Sequence, residues 1–274
     1  MSLLALCLIR IADVAHWIGG IFDRAGFLLT GILPAILPPA SLTELIRSHY
    51  DRGYDDSYST FTSAPQEWPL EQWENEVLAR HHILSGQLLV LGTGTGRESI
   101  ALAKRGFHVI GLDISRSALR MAAHIARTGG VPVTFVQADF LALPAHPAHF
   151  DYILLTSIMY SSIPSRNWRL TWLRQLTSLL SPEGLAVLQF LIDSAPSTRT
   201  KKACHTINRW LSRFPGANRL YQPGDTCPEG HFLHAFQSEQ ELRQELSESP
   251  VVLRELNWHG QYLVIAASST VGPK

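Results

Sequence analysis

Gly92-Thr93-Gly94-Thr95-Gly96 interrupts an otherwise apolar stretch, and its residue types suit a ligand better than a core. Glycines let a backbone turn sharply and let a ligand approach without meeting a Cβ. The helix expected to follow, with Ile100, Leu102 and Ala103 at helical spacing, turns its free N–H groups toward that loop and favours a carboxylate or phosphate there. Asp113 stands about twenty residues beyond the first glycine, where an acid accepts hydrogen bonds from ribose hydroxyls. Two later apolar runs end in an acid followed by an aromatic, Asp139-Phe140, and in small polar residues, Thr156-Ser157. Tyr160, His231 and His234 are the candidates for moving a proton.

Elements of definite type must position these groups. Leu88 to Leu91 is an unbroken apolar run suited to a strand buried on both faces of a parallel sheet. A helix closed by Gly106 and a second strand from Phe107 to Leu112 complete a nucleotide-binding βαβ unit. Ser115 caps a further helix that ends at Gly129-Gly130. Val131 to Gln137, Phe150 to Thr156 and Leu185 to Leu191 read as the third, fourth and fifth strands, with a helix over 166–180 and a turn at Ser181-Pro182-Glu183-Gly184. Val251 to Asn257 and Gln261 to Ala267 read as a closing antiparallel hairpin, preceded by a helix capped by Ser238. Ligands of such sheets sit beyond the carboxyl ends of the strands, so the loops after Leu91, Leu112, Gln137 and Leu155 gather at one end.

The glycine register separates two ligand classes. A dinucleotide fingerprint wants its third glycine one place later, where this chain has Arg97, so the pattern is GxGxG. With Asp113 and Asp139-Phe140 it resembles the class I S-adenosylmethionine (SAM)-dependent methyltransferases. That resemblance implies a Rossmann-like seven-stranded sheet, mostly parallel with a C-terminal antiparallel hairpin, here with an N-terminal helical extension. It also implies SAM as cofactor, held by Gly92, Thr93, Gly94, Gly96, Asp113, Ile114, Asp139, Phe140 and Thr156. The loop would wrap the methionine part, Asp113 would hold the ribose, and Asp139 and Phe140 would meet the adenine. The family usually places an acid where this chain has Val90, so other groups must hold the cofactor's amino group. The implied reaction is methyl transfer to a small, lipophilic or anionic acceptor, with His231, His234 or Tyr160 as base where one is needed. An aminopropyltransferase-like enzyme or a non-catalytic binding subunit are the alternatives. The first is disfavoured because the loop's variable positions, Thr93 and Thr95, supply no carboxylate for a polyamine.

Composition narrows the partners. The chain of 274 residues is 46% apolar and 17% charged with a formal net charge of zero, which suits a sizeable core and argues against nucleic-acid binding through an overall positive field. The loop TSIMYSSIP after the fourth strand lacks the Asn/Asp-Pro-Pro-aromatic motif of enzymes that methylate nucleobase nitrogens. Cys7, Cys204 and Cys227 are odd in number and widely spaced, which fits a reducing, cytoplasmic compartment. Neither they nor the histidines match a zinc spacing, so no metal is expected.

The flanks are less regular. Residues 1–40 form an apolar leader: a helix over Ser2 to Arg24 and a second run, Ala25 to Leu37, cut by Pro34. The second run is too short and too broken to span a bilayer, and polar residues recur along the first, which leaves a cap packed on the core, a self-association element or a membrane-interfacial helix. Residues 41–86 form a helical bridge opened by Ser41-Leu42-Thr43-Glu44 as a capping box. It includes Tyr50, Tyr54 and Tyr58, which by resemblance fold over the cofactor, and a helix from Pro69 to Leu84. Residues 87–270 are the methyltransferase core, with a lid insertion at 193–230. From Tyr160 to Leu220 nine Arg and Lys face Glu183 and Asp193 alone. This is either a solvated basic face or a field that draws an anionic substrate or lipid surface.

Overall fold

A computed structural model describes residues 23–61, 69–143, 150–193, 198–259 and 262–269. The expected first leader helix lies outside these residues except for its end. Seven strands form the main sheet: β1 (Gln87–Leu91), β2 (His108–Asp113), β3 (Thr134–Gln137), β4 (Phe150–Leu155), β5 (Leu180–Leu191), β6 (Val251–His259) and β7 (Tyr262–Ser269). Their order is β3-β2-β1-β4-β5-β7-β6. The pairs β2–β3, β1–β2, β1–β4 and β4–β5 are parallel, and β6–β7 is antiparallel. Strand β1 is central, with Leu89 registered between Ile110 and Ile153. Leu88, Leu89, Val90 and Leu91 are all buried, and each such side chain contributes about 1.5–3 kcal/mol relative to exposure.

The helices are α1 (Asp23–Ile36), α2 (Pro39–Phe61), α3 (Gln72–Arg80), α4 (Arg97–Ala103), α5 (Arg116–Thr128), α6 (Arg166–Leu179), α7 (Arg199–Leu211) and α8 (Glu239–Ser247). Among the described residues, none is long and apolar enough to cross a membrane. The chain divides into two compact units. One comprises the described parts of Met1–His49, Ser161–Arg169 and Leu191–Leu242, and the other those of Tyr50–Tyr160, Leu170–Phe190 and Arg243–Lys274.

Within the larger unit the core cluster joins Leu88, Val90, Leu102, Val109, Leu154 and Val187. Val90 thus stands in an apolar layer where a carboxylate would be buried without a partner, a physical reason for the missing acid. Gly111 on β2 lets α4 and the glycine loop approach the sheet. A Cβ there would lie 3.0 Å from Phe135 Cδ1, Ser99 Oγ and Thr93 Oγ1. Gly111→Ala is therefore expected to destabilise the chain by about 1–3 kcal/mol, read from the urea midpoint.

The smaller unit is built on α1. Pro34 lies in its last turn, and the carbonyls left open at the helix end are met from elsewhere. Asn218 Nδ2 donates to Pro34 O at 2.8 Å, and Asn218 N donates to Ala35 O at 2.9 Å. A two-stranded antiparallel ribbon pairs Asp225 with His234 and Thr226 with Leu233.

Two expectations about element bounds are corrected. The stretch Ser41 to Glu44 is interior to α2, which starts at Pro39; Pro is well suited to a first helical position, and Thr43 Oγ1 donates back to Pro39 O at 3.0 Å. A capping box exists instead at α3, between Glu71 and Glu74. The turn at Ser181 to Gly184 is absorbed into β5 as a bulge: Phe150 registers with Leu180, but Tyr152 with Leu185.

Candidate active site

The site grows from the way β1 ends. Gly92, Gly94 and Gly96 all have positive φ, and Gly96 at +87° immediately precedes α4. Thr93 N donates to Leu112 O at 2.9 Å and Gly96 N to Thr93 O at 2.8 Å, which folds the loop back over the tip of β2. There the Asp113 carboxylate accepts from Gly94 N–H at 2.7 Å and from Ser115 N–H at 2.8 Å. Ala138 N donates to Asp113 O at 2.9 Å, bringing the end of β3 beside the end of β2. Asp139 follows directly and accepts from Leu141 N–H at 2.8 Å in its own turn. Gly94, Asp113 and Asp139 thus stand at adjoining strand tips, as the sequence requires. Ile114 continues the β2 tip, where Gln137 Nε2 donates to its carbonyl at 3.2 Å.

A second set of bonds, which spacing does not reveal, fixes the other side of the loop. Thr156 Oγ1 donates to Glu98 Oε1 at 2.8 Å, and Arg97 Nη2 donates to the same oxygen at 2.6 Å. Arg97 also makes a two-pronged pair with Glu74 of α3, both contacts at 2.8 Å. Glu74 and Glu98 are buried. Burial raises the Glu74 pKa against the lowering effect of Arg97. For Arg97, burial works to lower the pKa, but the bond to Glu74 and the charge of Glu98 carry it above its ordinary value. The sequence signal that could have found Glu98 is its place in the first turn after a glycine loop, where a carboxylate meets the helix dipole.

After β4 the backbone is strained. Ser157 and Ile158 have φ of +53° and +55°, which is costly for a β-branched residue and concentrates at functional sites. Ile158 N donates to Gln189 Oε1 at 3.3 Å, and Met159 lies beside Gly92, about where a Cβ there would touch it. Tyr50 also belongs to this unit. Burial raises its pKa, and the charge of the Asp113 carboxylate adds to the rise. The side chains of Tyr54 and Tyr58 lie outside the described residues.

The other predicted residues divide. Thr93 is buried, its Oγ1 sharing a 2.6 Å hydrogen bond with Ser99 Oγ. Phe140 is buried edge-on to Trp172, whose Nε1 donates to the Phe140 carbonyl at 2.7 Å. Tyr160 is completely buried, its hydroxyl donating to Glu245 at 2.8 Å and its ring packed on Trp172 and Phe190. In this geometry the hydroxyl serves a buried hydrogen bond. His231 stacks on His49 at 4.1 Å, and burial together with that neighbour lowers its pKa to about 4. A group so weakly basic is a poor proton acceptor near neutrality.

His234 is different. It is buried, Nδ1 lies 2.7 Å from Asp225 Oδ1, and Nε2 has no hydrogen-bond partner among the described residues. The Asp225 carboxylate also accepts from Gln222 N–H at 2.8 Å, which fixes its direction. Such a carboxylate holds the proton on Nδ1 and leaves Nε2 as the acceptor.

The His231 shift predicts a pH dependence. The unfolded chain takes up this proton around pH 6.5 and the folded chain only around 4. The unfolded state therefore binds more protons between these values, and stability falls as pH drops through that window. Urea midpoints measured from pH 7 to 4 should show a shallower decline for His231→Gln than for the unaltered chain.

Residues 88–184 match the family model of the methyltransferase domain. With the strand order and the glycine-loop site, this defines the domain as a class I, SAM-dependent methyltransferase domain. Thiocyanate methyltransferase 1 of Brassica oleracea is 34% identical over 106 residues, covering 36% of this chain and 43% of that protein. A demethylmenaquinone methyltransferase of Thermobifida fusca is 30% identical over 126 residues, covering 41% and 52%. The chain spans about half the length of the curated relatives it matches. The crystal structure of Burkholderia thailandensis 1,6-didemethyltoxoflavin-N1-methyltransferase, with S-adenosylhomocysteine and 1,6-didemethyltoxoflavin bound, shares the fold. Its TM-score is 0.61 at 18% identity, covering 86% of this chain and 92% of that one.

Proposed function

We propose that this chain transfers the methyl group of SAM to a small-molecule acceptor. The observation that carries the reading is the Asp113 carboxylate held 2.7 Å from the Gly94 N–H, at a strand tip that adjoins Asp139. When bound, the cofactor supplies a methyl group on a sulfonium sulfur. The glycine loop receives the methionine portion, Asp113 the ribose hydroxyls, and Asp139 the adenine amine beside Phe140. Glu98, buried at the start of α4 and bonded to Thr156, stands in for the acid that Val90 lacks and answers the cofactor's ammonium. In-line transfer then asks the protein mainly for alignment and water exclusion. A hydroxyl or protonated amine acceptor needs a base as well.

Relatives named for thiocyanate and for demethylmenaquinone support an acceptor class that runs from a small anion to a lipophilic ring. A cytoplasmic location fits the cysteine usage, with the leader 1–40 serving as a cap, a self-association element or a membrane-interfacial segment. Calorimetry of the full chain with SAM and with S-adenosylhomocysteine tests the core of this reading. Saturable binding of both is expected, and no heat at millimolar ligand overturns it. Incubation with methyl-labelled SAM and thiocyanate, thiol or quinol acceptors then reads the class.

A further inference from the structure

We propose that α7 and the turn after it form a docking surface for an anionic lipid bilayer, a role separate from methyl transfer. The helix shows an apolar stripe to water although part of its inward side is polar: Asn208 and Ser212 are 4% and 8% exposed, and Asn208 Nδ2 donates to Gly31 O of α1 at 2.7 Å. His205, on the same side, meets the Tyr221 hydroxyl at 3.2 Å. Its outward side carries Ile207, Trp210 and Phe214, which are 49%, 58% and 46% exposed, with the Trp210 and Phe214 rings edge to face at 4.7 Å. Residues three, four and seven apart share one helical face, so these three make a contiguous apolar ridge. A helix that shows aromatic and branched side chains to water along one contiguous stripe is suited to a non-aqueous partner.

The charge beside the ridge selects that partner. On a wheel of 100° per residue, Lys202, Arg209 and Arg213 cluster along one flank of the apolar stripe, and all three are exposed. From Arg199 to Leu220 the sequence has six cations and no acid, in a chain whose net charge is zero. A second copy of the chain meeting this face about a two-fold axis would bring cation against cation, which disfavours self-association. Anionic headgroups complement the cations, while Trp210 and Phe214 are of the type that enters the headgroup–acyl boundary.

The test uses the full chain and sedimentation with vesicles of phosphatidylcholine, with and without phosphatidylserine. The expected result is partition onto the phosphatidylserine vesicles that weakens as salt rises. Trp210→Ser/Phe214→Ser, and separately Lys202→Gln/Arg209→Gln/Arg213→Gln, should each lower the partition coefficient at least about tenfold. These side chains are exposed, so the thermal midpoints of the variants are expected to stay near that of the unaltered chain, and this is measured alongside. Brominated lipid should quench emission that is missing from Trp210→Phe. The proposal fails if the chain does not partition, if the variants partition like the unaltered chain, or if vesicles bind without quenching Trp210, which would assign binding to another segment such as the leader. It fails equally if the chain is a dimer in solution that Trp210→Ser/Phe214→Ser dissociates.

Discussion

Replacing Asp113 by alanine is expected to weaken SAM binding by about 2–4 kcal/mol, the value of a charge-assisted pair of hydrogen bonds. In calorimetry this is a loss of roughly thirtyfold to a thousandfold in affinity. The carboxylate does two jobs. It holds Gly94 N–H and Ser115 N–H at 2.7 and 2.8 Å, so it shapes the loop in addition to the proposed contact with the ribose. Alanine removes both functions and leaves two buried donors unmet. Asp113→Asn separates them, because the amide keeps one acceptor oxygen for the loop but loses the charge. Its affinity should fall between those of the unaltered chain and Asp113→Ala, with a smaller change in urea midpoint than alanine causes. An alanine variant that remains folded and binds SAM undiminished would remove Asp113 from the cofactor site.

The parts of this site that were legible in sequence are those fixed by short-range geometry. A glycine turn between an apolar run and a helix can fold in few ways, and the acid that ends the next strand must then lie beside it, as Asp113 does. What stayed hidden depends on contacts across the chain. Glu74 and Arg97 are separated by 23 residues and meet only because α3 packs near the loop. Local capping logic chose Ser41 as a helix start, whereas Pro39 begins the helix and Thr43 bonds backward inside it. The same limit applies to α7. Its basic stripe is visible in the spacing, but periodicity alone cannot say that Asn208 and Ser212 are turned inward.

Arg97→Met is expected to destabilise the fold by about 3–5 kcal/mol, since it leaves Glu74 and Glu98 as buried carboxylates without their cation. The direction of the Glu74 shift sharpens this. Its pKa is raised even beside Arg97, the direction that burial of a carboxylate sets. Removing Glu74 together with its cation should be milder than removing Arg97 alone, and Glu74→Leu/Arg97→Met is expected to recover the part of the lost stability that is due to Glu74 in urea unfolding, with Glu98 still buried beside Thr156. If stability were the only role of the pair, the double variant would also bind SAM like the unaltered chain. The geometry predicts otherwise: Arg97 steadies Glu98 at 2.6 Å, and Glu98 in turn receives Thr156 from the tip of β4. A refolded double variant should bind SAM at least several-fold more weakly. Undiminished affinity would reduce the network to packing, and a double variant as unstable as Arg97→Met would show that the fold depends on the ion pair itself.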